Sequence, residues 1–82
     1  MIDLQEAVFI AKQEATKILG PNQFSLEELE RDVYKSRDVW SITLGLPKPA
    51  LFLNQELNYK RFLIDVETGE LLAIKIREVA LP

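Results

Sequence analysis

The sequence predicts an α+β fold in which an N-terminal amphipathic helix packs on one face of a three- or four-stranded antiparallel meander sheet. Three observations carry this prediction. Residues 3–19 repeat apolar side chains at helical spacing. Residues 39–46, 58–66 and 71–79 alternate apolar and polar side chains with a period of two. The lengths also agree: a helix over 3–19 spans roughly 25 Å, and strands of this length span about 26 Å.

The helix has signals at both ends. Asp3 is a strong N-cap, and Glu6 stands three residues later in a capping-box relation. Leu4, Ala7, Val8, Ala11, Ala15 and Ile18 fall on one stripe, with Gln5, Lys12, Gln13 and Thr16 opposite. Three alanines on the stripe allow close approach to the sheet. Gly20 suits the left-handed position after the last turn, and Pro21 blocks continuation. Phe9 breaks the pattern, near the centre of the polar side. It reads as a singly exposed aromatic or as an anchor for a partner, because aromatics are favoured at binding hot spots.

Residues 24–34 admit two readings. Ser25 with Glu28 resembles a second capping box, and Leu26, Leu29 and Val33 have helical spacing. Alternatively, Phe24 and Leu26 share one strand parity and Leu29 and Val33 the other, which a bulge reconciles. The strand is preferred, because Lys35-Ser36-Arg37-Asp38 has hairpin length and the next strand follows at once. In that strand Trp40, Ile42, Leu44 and Leu46 point one way, and Trp40 is expected in the core with an acceptor for its indole N–H. Pro47-Lys48-Pro49 ends it. Ala50-Leu51-Phe52-Leu53 is too apolar for an ordinary solvated connection.

The last two strands form a hairpin. Phe62, Ile64 and Val66 share a face in the first, and Leu72, Ile74 and Ile76 in the second. Glu67-Thr68-Gly69-Glu70 is the turn, with Gly69 free to take positive φ. The tail Ala80-Leu81-Pro82 is expected to fray. The second sheet face is then expected to be open, exposing Tyr59, Arg61, Leu63 and Asp65 beside Leu71, Ala73, Lys75 and Arg77. Acids Glu27, Glu28, Glu30 and Asp32 on the first strand balance those cations, a pattern that keeps an exposed sheet soluble.

Composition narrows the chemistry. Eighty-two residues make one domain with a thin core. With no cysteine and no histidine, disulfides, thiolate sites and histidine-based triads are excluded. A net charge of −3 without a basic stretch argues against nucleic acid. No apolar run approaches a membrane span. The start Met1-Ile2-Asp3 has acids where a basic leader would sit, so a cytoplasmic chain is expected. Asp65, Glu67 and Glu70 do not have calcium-loop spacing and read as a polar turn. Gly20, Gly45 and Gly69 are too far apart to cradle a phosphate. Tyr34, Tyr59 and the lysines are acid–base groups in principle, but no motif gathers them. No metal and no cofactor is expected, and the chain is not expected to be an enzyme.

The hairpin Tyr59-Lys60-Arg61-Phe62-Leu63-Ile64-Asp65-Val66-Glu67-Thr68-Gly69-Glu70-Leu71-Leu72, following a helix and a tryptophan-led strand, resembles the PepSY-type domains. Asp65, Thr68, Gly69 and Glu70 carry the likeness. Small bacterial immunity-type proteins have a similar layout. The resemblance spans most of the chain, and its only specific motif is this turn. It implies an α+β domain that binds rather than catalyses, as PepSY-type domains restrain peptidases or serve accessory roles. This chain departs from their exported and membrane setting.

The expectation is therefore a bacterial, cytoplasmic protein-binding module of inhibitory or immunity type. Leu51, Phe52 and Leu53 are the candidate contacts, with Phe9 beside them, because the helix-on-sheet core explains these apolar residues least. The alternative is a homodimer through the open sheet face around Leu63 and Ala73, so the chain is expected as a monomer or a homodimer.

Overall fold

A computed structural model describes residues 1–21, 23–46 and 58–77. Helix α1 spans Leu4–Leu19, and strands β1 (Ser25–Tyr34), β2 (Arg37–Leu46), β3 (Asn58–Asp65) and β4 (Leu71–Arg77) follow. The strands form one antiparallel sheet in the order β1-β2-β3-β4. This is the expected helix-on-sheet architecture with four strands.

The caps act at the expected residues. Asp3 has extended backbone, and its Oδ1 accepts from the Glu6 N–H at 2.8 Å. Gly20 donates its N–H to the Thr16 carbonyl at 3.0 Å. Its φ of +86° is positive as expected, but its ψ of 169° is extended rather than left-handed helical.

Ala7, Ala11 and Ala15 are fully buried against Ile42 and Leu44 of β2 and Phe62 and Ile64 of β3. Burying each of these four large side chains contributes roughly 1.5–3 kcal/mol. The stripe is shorter than its sequence pattern, because Leu4 and Ile18 are exposed. The helix meets the sheet chiefly through β2 and β3, so the ends of the stripe lie beyond that contact.

Residues 24–34 contain a strand, not a second helix. The β1–β2 register shifts between Leu26 and Glu28, which is the bulge the parity conflict called for. It turns Leu29 onto the helix-side core, where Phe24 also packs. The hairpin turn is tighter than expected. Only Lys35 and Ser36 lie between Tyr34 and Arg37, with φ of 48° and 66°. Positive φ at both central residues is the two-residue turn whose twist matches its strands.

A second bulge changes the last hairpin. Leu63 pairs with Ala73 but Ile64 pairs with Leu71, so Leu72 is the extra residue. Leu71, not Leu72, therefore packs on the helix-side core.

The second face of the sheet is not open. Val39, Ser41, Thr43, Leu63 and Asp65 on it are buried, Leu63 to 4% exposure. Flat, a four-stranded sheet separates its edge strands by about 14 Å. Yet the Lys75 ammonium of β4 lies 5.0 Å from the Tyr34 ring centroid of β1. Side chains of the two edge strands therefore meet across this face.

Candidate functional site

The outer face of α1 follows from the helical repeat. Counting from Phe9, residues 12, 13, 16 and 17 lie three, four, seven and eight positions on, and share its side of the helix. Phe9 is 63% exposed, so the expectation of an exposed aromatic holds. Around it Phe9, Lys12, Gln13, Thr16 and Lys17 line a shallow, open and mainly apolar depression of about 450 Å³. Thr16 turns its hydroxyl inward, donating to the Lys12 carbonyl at 2.9 Å. The Lys17 ammonium lies 3.5 Å from Glu14 Oε1. The stems of Lys12 and Lys17 extend the apolar surface of the ring while their charges reach water. The sequence pattern already set Phe9 among Lys12, Gln13 and Thr16 on the polar side; Lys17, eight positions on, is the neighbour it left out.

Leu51, Phe52 and Leu53, the other candidate contacts, lie outside the described residues. Leu63 and Ala73 belong to the face expected to be open. Leu63 is buried and Ala73 half-buried, so that face offers little free apolar surface.

The turn after β3 is organised by one carboxylate. Asp65 Oδ1 accepts from the Glu67 N–H at 2.7 Å and the Thr68 N–H at 3.1 Å. Its Oδ2 lies 3.3 Å from the Arg37 guanidinium, which also reaches Glu70 at 3.9 Å. The Thr68 amide foremost, then the Glu67 amide and the Arg37 charge, hold the Asp65 carboxyl below its ordinary value, against partial loss of water. Gly69, at φ +78°, closes the turn by donating to the Asp65 carbonyl at 2.9 Å. A Cβ there would come within 3.2 Å of Ile10 Cδ1, so the turn lies against the helix. Asp65 thus has the structural role that the turn composition indicated, with both oxygens engaged. Among the described residues, no three His, Cys, Asp or Glu side chains converge as metal ligands.

Trp40 is half-buried at the edge of the core. Its indole N–H donates to the Ile2 carbonyl at 3.3 Å, which supplies the acceptor its position called for. Arg31 covers the ring at 5.0 Å from the centroid. This tryptophan therefore holds the N-terminal segment rather than offering a free platform. Tyr34 does meet lysines, with Lys75 at 5.0 Å and Lys35 at 5.4 Å from its ring centroid. Both are cation–π contacts on the ring.

No helix among the described residues is long and apolar enough to cross a membrane. Comparison with known proteins finds no matching family model, no similar curated protein and no similar solved structure.

Proposed function

We propose that this domain works by binding, not catalysis, and that its partner is another protein held on the outer face of α1. The exposure of Phe9 within its depression carries this reading. A large aromatic kept in water on a thin-cored domain is a ready anchor for a partner. Lys12 and Lys17 beside it favour a partner that presents an apolar recess rimmed by carboxylates. The likeness of the Asp65–Glu70 turn to PepSY-type and immunity-type proteins supports an inhibitory form of that binding. A cysteine-free chain suits the reducing bacterial cytoplasm in which we set it.

A photo-cross-linking residue in place of Gln13 identifies the protein that contacts the depression, and the purified pair is then titrated. Phe9→Ala is expected to weaken that pair roughly 30-fold, the loss typical of a hot-spot aromatic. Lys12→Glu is expected to slow association, most strongly at low salt. Unchanged affinity in Phe9→Ala, with the variant folded, overturns the reading.

A further inference from the structure

Among the described residues, the two edges of the sheet are chemically unlike. Edge strand β1 carries Glu27, Glu28, Glu30, Arg31 and Asp32 within ten residues. Charges of this density guard an edge against pairing with another chain. Edge strand β4 reads Leu-Leu-Ala-Ile-Lys-Ile-Arg, with five apolar residues in succession but for Lys75. Ile74, at its centre, is 37% exposed although it pairs with the fully buried Phe62.

Self-pairing can be tested against register. A two-fold axis normal to an antiparallel sheet keeps each face on its own side, so directly opposed residues share parity and the axis passes through a residue. On β1, axes at residues 28 and 30 oppose a glutamate to itself. An axis at 29 opposes Glu28 to Glu30, and one at 31 opposes Arg31 to itself. Each places like charges together. On β4, an axis at Lys75 does the same, and one at Ala73 runs into the bulge, setting helix-side Leu71 against Lys75 of the other face. An axis at Ile74 pairs the five residues up to the bulge: Leu72 with Ile76, Ala73 with Lys75, and Ile74 with itself. No like charges meet in that register.

We infer that a second copy of this chain pairs antiparallel along β4 about a two-fold axis at Ile74, forming a continuous eight-stranded sheet with both helices on one face. The Ile74 side chains then meet on the helix side and leave water. This interface shares no residue with the depression around Phe9, so either reading can fail alone.

Sedimentation velocity from micromolar to millimolar concentration tests the inference, with circular dichroism to confirm folding. The parent is expected to pass from monomer to dimer as concentration rises. Ile74→Lys places two ammonium groups across the axis and is expected to abolish the dimer. Val33→Lys, at an exposed site on β1, is expected to leave it intact. Amide exchange of the parent supplies a readout free of substitutions: outward-facing β4 amides gain protection with concentration, and β1 amides do not. A parent that stays monomeric, an Ile74→Lys protein that dimerises as the parent does, concentration-independent β4 exchange, or assembly beyond the dimer through acidic β1 on basic β4 each overturns it.

Discussion

Asp65 shows how one side chain organises a corner of this protein. A nearly buried carboxylate is costly unless donors surround it, and here two amides and a guanidinium do. The folded protein holds its pKa below the value of about 3.9 expected in the unfolded chain. The unfolded state therefore binds the proton more readily at acid pH. The stability Asp65 contributes is fully present above the unfolded value and is lost as pH falls through the lower folded value. Asp65→Asn is expected to lower stability at neutral pH and to flatten the acid dependence, which urea unfolding at neutral and acid pH measures. Ser41 is the opposite case. Its hydroxyl is the single buried side-chain polar group among the described residues with no hydrogen-bond partner, on the sheet face away from the helix.

At the level of elements, turn chemistry sets the register of both hairpins. Lys35 and Ser36 both adopt positive φ, which costs a side-chain-bearing residue roughly 1–2 kcal/mol relative to glycine's freedom. Ser36→Gly is expected to stabilise the fold by about 0.5–1 kcal/mol, net of the entropy glycine adds to the unfolded chain. Equilibrium denaturation measures this as a higher midpoint at constant slope. In the second hairpin the Asp65 turn and the bulge at Leu72 together decide which leucine faces the helix. The helix depends on its caps and, above all, on its three alanines. Their small size lets the backbone approach Ile42, Leu44, Phe62 and Ile64.

At the scale of the whole molecule, buried residues lie on both sides of the sheet. Ile42, Leu44, Phe62 and Ile64 face the helix, while Val39, Ser41, Thr43 and Leu63 are buried on the second face. A chain of 82 residues has about 4–12 kcal/mol of stability to lose. Phe62→Ala, at the centre of the helix side, is expected to cost about 3–5 kcal/mol. Its thermal midpoint should fall by more than about 10 °C, as followed by circular dichroism. The N-terminal segment is tied to the two central strands: Ile2 donates to the Val66 carbonyl at 2.7 Å and accepts from Trp40 at 3.3 Å.

The sequence by itself determined the elements. Helix limits at Asp3 and Gly20, the strand carrying Trp40 and the Thr68-Gly69 turn all follow from interactions within a few residues, whereas residues 24–34 admitted helix or strand until pairing with β2 fixed the strand and its bulge. Local rules of capping, parity and turn chemistry are written in adjacent letters. The exposure of Phe9 was legible for the same reason, since it sits opposite the alanine stripe. What only the tertiary structure decided depends on residues distant along the chain. The bulge that exchanges Leu72 for Leu71, the exposure of Leu4 and Ile18, and the company around Asp65 depend on how separate elements meet. The burial of Leu63 depends on what meets that face in the assembled fold, which no single strand's alternation encodes. Alternation states which residues share a face; only the assembled sheet states whether that face meets water.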